Sequence, residues 1–244
     1  MLLPDAASLD RLADQGWPAL EREQLDGWTL RASSRVTNRA NSVLTSGLVD
    51  DLDSAVDAAE RWYAARALPP VFQVSPASHP SLTDALGRRG YRDHSPTDIL
   101  VADRAAAAVA AVDPAVRITD RPDDAWLDTW WSVDGRGGAD ERDVAARILR
   151  GGPALYAAHG DPAAPDAVAR LALVGEWGGL YAVATRPEAR RRGLARALVQ
   201  TLAGASAEHG VSGLWLQVLA DNAAAHALYA SLGFRPASHY SYCS

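Results

Sequence analysis

The sequence predicts an α+β chain folded as two successive units, and two observations carry this. Short apolar runs alternate with amphipathic helical segments throughout the 244 residues, the pattern of strands and helices packed in layers. The order strand–helix–strand also closes each half. In the first half it reads Val71-Phe-Gln-Val-Ser, Ser81 to Tyr91 and Thr97-Asp-Ile-Leu-Val; in the second it occupies residues 214–242. A chain of this length suits about one to two domains.

In chain order, Leu9, Leu12, Trp17 and Leu20 have the spacing of an entry helix. Trp28 to Ser33 and Asn41 to Ser46 alternate and flank a polar turn, which reads as a hairpin. Residues 51–66 present a helical face of Leu52, Val56, Ala59 and Tyr63. The seam falls at Asp103–Pro114, where Ala105 to Ala111 is almost purely alanine and valine, a short helix or a linker. The expected units are therefore residues 1–104 and 115–244. In the second, Trp126, Trp130 and Trp131 lie on a helical segment that runs into a glycine-rich loop at Gly135-Arg-Gly-Gly138.

The most informative stretch is Leu180 to Leu202. Leu180 to Thr185 is an apolar strand broken by Pro187; three arginines and Gly193 follow, and Leu194, Ala195, Ala197, Leu198 and Leu202 have helical spacing. A strand feeding a basic glycine turn that opens a helix suits phosphate. The first helical N–H groups lack internal partners and carry the positive end of the helix dipole. Gly193 and the small Ala195 let the backbone approach an anion. The turn is neither a Walker loop nor a three-glycine dinucleotide fingerprint. Downstream, Leu214, Leu216 and Val218 alternate as a strand and Asp221 or Asn222 suits an N-cap. Ala225, Leu228, Tyr229 and Leu232 then share a helical face, and Gly233 suits a left-handed cap before Phe234.

These two segments, in this order, resemble the GNAT superfamily of acyl-CoA N-acyltransferases. Arg190, Gly193 and Ala195 occupy its Arg/Gln-x-x-Gly-x-Gly/Ala signature, and Asn222 to Phe234 its Asn–helix–Leu-Tyr-x-x-x-Gly-Phe segment. The resemblance covers residues 115–244 and implies a mixed, mostly antiparallel sheet flanked by helices. It implies acetyl-CoA as co-substrate and an amine, of a small molecule or a peptide, as acceptor by direct attack on the thioester. Pantetheine would pair with the backbone of Val183, Ala184 and Thr185. Pyrophosphate would sit over Arg190, Arg191, Arg192, Gly193, Leu194 and Ala195. Tyr229 matches the tyrosine that often protonates the departing thiolate, on the helix that Asn222 starts; otherwise it is a packing residue.

The sequence departs from many relatives at the general base. Gly178-Gly-Leu-Tyr-Ala-Val-Ala-Thr offers no carboxylate, so Glu176 just ahead of it is the candidate base, with a water relay or an amine of intrinsically low pKa as the alternatives. The resemblance implies that the segment after the first strand of the second unit, Asp124 to Arg150, covers the acceptor. Its tryptophans and aspartates either receive a cationic amine or form a packed stripe and a solvated loop. Leu86-Gly-Arg-Arg-Gly-Tyr91 echoes Leu228 to Phe234, so residues 1–104 read as a degenerate first GNAT-like unit without the glycine turn. Arg31, Arg39 and Asn41 are either a polar wall facing a substrate or outward hairpin positions.

Composition narrows the partners. A net charge of −6 argues against general nucleic-acid binding, and the 24 basic residues, all arginine, show one local run in the turn. The lone cysteine, Cys243, permits no internal disulfide and gives no metal-site spacing, which fits a cytoplasmic protein. Met1 to Asp5 starts neither a signal peptide nor a membrane helix. Monomer and homodimer both remain open, and so does a rival reading: a non-catalytic CoA-binding sensor, which would need only the turn.

Overall fold

The computed structural model describes residues 3–108 and 113–244. Two compact units divide them. The first comprises the chain as far as Ile99 together with Leu219–Asp221 and Ala237–Ser244; the second comprises Leu100–Val218 and Asn222–Pro236.

In the first unit, α1 (Ala6–Gly16) starts at Asp5, whose side chain accepts from Ser8 N–H. It stops before Trp17-Pro18, because proline disfavours helical geometry in the residue before it. Trp17 is still buried, its indole N–H donating to Thr37 Oγ1 at 3.1 Å, whereas Leu20 lies at the surface. Strands β1 (Glu21–Leu25) and β2 (Trp28–Ala32) form an antiparallel hairpin, and β2 meets β3 (Val43–Leu44) at Thr29↔Leu44. Helix α2 (Leu52–Ala64), capped by Asp51, buries Val56, Ala59 and Tyr63 as the spacing requires. Then come β4 (Phe72–Val74), α3 (Leu82–Arg88) and β5 (Asp93–Asp103), whose last residues, from Leu100, belong to the second unit. Trp28, Val56, Tyr63, Phe72, Leu82 and Leu86 share one core.

Arg31 is neither a substrate wall nor an outward position. It is 1% exposed, with Nε donating to the Ser42 carbonyl at 2.9 Å and guanidinium nitrogens on Gln73 Oε1 (2.8 Å) and Asp14 (3.3 Å). Asn41 is also buried, because its amide closes the 33–37 loop: Oδ1 accepts from Ser33 and Arg35, and Nδ2 donates to the carbonyls of Val36 and Thr37. Arg39 lies over the Trp17 ring at 5.7 Å.

The second unit holds α4 (Arg104–Ala107), β6 (Val116–Thr119), α5 (Asp124–Asp134), α6 (Ala139–Leu149), β7 (Ala154–His159), β8 (Ala167–Val174), β9 (Trp177–Thr185), α7 (Leu194–Ala205), β10 (Gly213–Leu219) and α8 (Ala223–Ala230). Of the alanine run expected at 105–111, Arg104–Ala107 is a helical turn, and residues 109–112 lie outside the described residues. Strands β6 to β9 form an antiparallel meander, and β10 adds in parallel to β9. Leu198 and Leu202 of α7 share a core with Leu171, Leu180, Leu214 and Leu216. This is the mixed sheet flanked by helices that the resemblance implies.

The last strand, β11 (Arg235–Cys243), starts in the second unit and continues in the first, where Ser241, Tyr242 and Cys243 pair antiparallel with Val74, Gln73 and Phe72. The units are thus not the two contiguous blocks drawn from the sequence. The alanine run marks a change of composition, whereas a ladder partner is set by the fold. The internal echo is visible as matched helix ends. After α3, Arg89 and Tyr91 N–H bond to the Leu86 carbonyl and Gly90 to Gly87; after α8, Leu232 and Phe234 bond to Tyr229 and Gly233 to Ala230. Gly90 (φ +93°) and Gly233 (φ +84°) make the same left-handed stop.

Candidate active site

The site lies in the second unit, where β9 parts from its parallel neighbour. The β8–β9 register runs from Val174↔Trp177 to Arg170↔Tyr181, then slips before resuming at Val168↔Ala184 and Ala167↔Thr185. The extra residue is a bulge, with Ala182 at φ +51°, a conformation a non-glycine residue holds only where its surroundings enforce it. On the other edge, β9 pairs with β10 from Gly213↔Trp177 to Leu216↔Leu180. The backbone of β9 beyond Leu180, including Val183, Ala184 and Thr185, lies past the end of that ladder and has an edge facing β10 to offer.

At the end of β9 the chain makes a 3-10 turn at Pro187–Ala189. Arg191 then takes φ +61° and Gly193 φ +81° before α7 begins. The first intrahelical bond runs from Ala197 N–H to the Gly193 carbonyl at 3.0 Å. Leu194, Ala195 and Arg196 therefore point N–H groups out of the helix at the positive end of its dipole. A Cβ built on Gly193 would meet no atom within 4 Å, so it is the left-handed turn, not crowding, that calls for glycine. Leu194 is buried and anchors the turn to the core.

A cavity of about 320 Å³ opens here, lined by Thr185, Arg190, Arg191, Gly193, Ala195 and, from α8, Leu228. Of the three arginines, Arg190 and Arg191 line it, and Arg190 Nε donates to the Thr185 carbonyl at 3.3 Å. Arg192 instead pairs with Asp166 at 3.3 Å. Arg186, which the sequence reading passed over, braces the turn: Nε donates to the Pro165 carbonyl at 3.0 Å and a terminal nitrogen to Thr129 Oγ1 at 3.1 Å. Thr129 is fully buried on α5.

Asn222 is the N-cap of α8, accepting from Ala225 N–H at 3.1 Å. Tyr229 is 8% exposed, its ring edge-on to Phe234 at 5.6 Å. Its hydroxyl has no hydrogen-bond partner among the described residues, and burial pushes the phenol up to about 12. Trp126 and Trp130 are core residues: the Trp126 indole donates to the Ala157 carbonyl at 2.9 Å and packs against Tyr156 at 5.3 Å. The stripe is packing, with Trp131 half-buried at its edge.

Glu176 is not at the site. It occupies the β8–β9 turn, where its carboxylate meets Ser212 Oγ at 3.1 Å and its carbonyl accepts from Ser212 N–H at 2.8 Å. Six residues of β9, Trp177 to Ala182, separate it from Val183, about 23 Å at the rise of a strand. Nearness in sequence misled here because an extended chain carries consecutive residues apart. The polar residue that does stand at the opening is Gln217 on β10. Its only signal in the sequence is being the polar member of Leu214 to Leu219.

A bulged strand that parts from a parallel neighbour and runs into an open helix N-terminus defines a member of the GNAT superfamily. Within it, the chain belongs to the family described as "Probable histone acetyltransferase Rv0428c C-terminal", matched over residues 5–243. The chain is 27% identical to the uncharacterized N-acetyltransferase YobR of Bacillus subtilis, over 98% of each protein. It is 29% identical to the probable histone acetyltransferase Rv0428c of Mycobacterium tuberculosis, over 96% of this chain and 72% of that one. A GCN5-related N-acetyltransferase from Kribbella flavida matches with a TM-score of 0.69 at 17% identity, over 98% of this chain and 94% of the other. A tandem GNAT protein of the clavulanic acid pathway matches at 0.65 and 16% identity, over 98% and 89%. At such identities these two structures speak for the fold alone. Among the described residues no helix is long and apolar enough to cross a membrane, and no three His, Cys, Asp or Glu side chains cluster to hold a metal.

Proposed function

We propose that the protein transfers an acetyl group from acetyl-CoA to an amine. The observation that carries this reading is the junction of two openings in one unit: the unladdered edge of β9 leads directly into the N-terminus of α7. The backbone of Val183 to Thr185 pairs with the pantetheine amides. The N–H groups of α7, with Arg190 and Arg191, take the pyrophosphate. Donor binding belongs to the second unit, since the first has no such turn.

The neutral amine attacks the thioester carbonyl. A C–N bond forms, the C–S bond breaks with its electron pair on sulfur, Tyr229 supplies the proton to the thiolate, the amine's proton leaves to water, and water returns a proton to the tyrosinate. No carboxylate base is required when the amine arrives uncharged. A further relative, the bS18-alanine N-acetyltransferase of Escherichia coli, is 49% identical over 59 residues, 24% of this chain and 40% of that protein. Its name and that of Rv0428c favour a protein or peptide amine as acceptor over a small molecule.

The test is a panel of peptides with free N-termini, lysine peptides and small amines, incubated with acetyl-CoA while free thiol is followed. Amine-dependent thiol release is expected. Acetyl-CoA binding by calorimetry with no release from any acceptor would favour a sensor instead, and no binding at all would remove the donor site.

A further inference from the structure

One polar side chain at the opening takes part in neither donor binding nor proton transfer. Gln217 sits on β10, where Leu214, Leu216 and Val218 face the core shared with α7. Alternation puts Gln217 on the opposite face with Trp215, whose indole meets the Tyr181 ring edge-on at 6.3 Å. In the parallel register Gln217 stands level with Tyr181, one step past the last pair, Leu216↔Leu180, and next to the bulge at Ala182. Its carboxamide Oε1 and Nε2 are both shielded from solvent, and neither has a hydrogen-bond partner among the described residues. A carboxamide can donate two hydrogen bonds and accept two. Burying one unpaired costs stability, so such a group calls for an explanation.

We infer that the reacting groups complete it. The inference rests on the acetyl-transfer reading. Nε2 donates to the thioester carbonyl oxygen as that atom takes on negative charge, and Oε1 accepts from an N–H of the attacking amine. The two contacts together hold the nitrogen over the carbonyl carbon. An amide takes up no proton near neutral pH, so Gln217 orients and stabilises without acting as a base. The balance of the transfer is unchanged: the amine's proton still leaves to water.

The experiment uses the full chain with acetyl-CoA and an amine that the panel shows to be accepted. Gln217→Met keeps the length of the side chain and removes both polar atoms. Its acetyl-CoA Kd by calorimetry should stay within about twofold, and its melting temperature should hold or rise as an unpaired buried amide disappears. Its kcat should fall by on the order of 10²-fold, the scale of a lost oxyanion donor. Gln217→Glu retains a polar group but adds a titrating one, so its turnover should acquire a pH-dependent limb that the native protein lacks. Native kcat in Gln217→Met would overturn the inference. So would a lower melting temperature with kcat unchanged, which would mean that a structural water satisfies the amide. If Gln217→Met does not fold, Gln217→Glu decides: native turnover with no new pH limb overturns the inference equally. A native protein that binds acetyl-CoA but releases no thiol with any amine would sink the acetyl-transfer reading itself, and this inference with it.

Discussion

Burial holds the Tyr229 phenol at about 12, so the side chain keeps its proton across the range in which a thiolate would need one. Because the hydroxyl has no hydrogen-bond partner to lose among the described residues, Tyr229→Phe should leave stability and acetyl-CoA affinity near native while turnover falls on the order of 10²-fold. Equal losses in kcat and kcat/KM would show an interaction made only in the transition state, and native turnover would return Tyr229 to packing alone. A second residue with a displaced titration is Asp10, on α1. Asp10 is 1% exposed, and burial raises its carboxyl from 3.8 to about 6 although Ser75 donates to it and Arg31 and Arg11 lie near. The folded state therefore binds the proton more tightly than the unfolded one. The burial penalty is absent below about pH 4, where both states are protonated, and fully present above pH 6, where both are ionised. The shift is worth about 3 kcal/mol. Asp10→Asn should flatten the part of the stability profile between pH 4 and 6 and stabilise the protein at pH 7.5, as read by denaturant unfolding. An unchanged slope would assign it to other groups.

At the scale of elements, the turn before α7 was legible because its chemistry is written in residue types: proline to end a strand, glycine for a left-handed turn, arginines for an anion. Asn222 and Gly233 marked the two ends of α8 in the same way. The bulge at Ala182 left no such mark, because alanine in a bulge looks like alanine in a strand. Strand β1 was missed because Glu21-Arg-Glu-Gln presents polar residues on both faces at a sheet edge, where apolar alternation is not required. The glycine turn itself yields a two-step test. Gly193→Ala places a side chain at φ +81° and so carries the backbone strain alone. Gly193→Asp carries the same strain and sets a carboxylate against the helix N-terminus where the pyrophosphate is proposed to bind. Acetyl-CoA affinity should fall modestly in the first and by a further order of magnitude or more in the second, with far-UV spectra unchanged. Equal affinities in the two variants would remove the anion site from the turn.

At the scale of the molecule, composition located a seam but not the path of the last strand. The first unit is completed by Ala237–Ser244, whose residues Ser241 to Cys243 supply the ladder partner of Phe72 to Val74. Cys243 packs into the same core as Phe72 and Trp28. Nothing in a contiguous reading of residues 1–104 announces that its sheet lacks a strand, because hydrogen-bond demand along β4 is a property of the backbone and not of side-chain pattern. A fragment ending at residue 104 should then leave the edge of β4 and one side of Phe72 uncovered. It should unfold at low denaturant with a broad transition. A peptide of residues 235–244 added in excess should raise its midpoint in a concentration-dependent way, as mass action requires of a ligand that binds only the folded form. A scrambled peptide of the same composition should do nothing. A fragment that unfolds sharply by itself and ignores the peptide would show that the first unit closes without the C-terminal strand, and the contiguous boundary would stand as its folding limit.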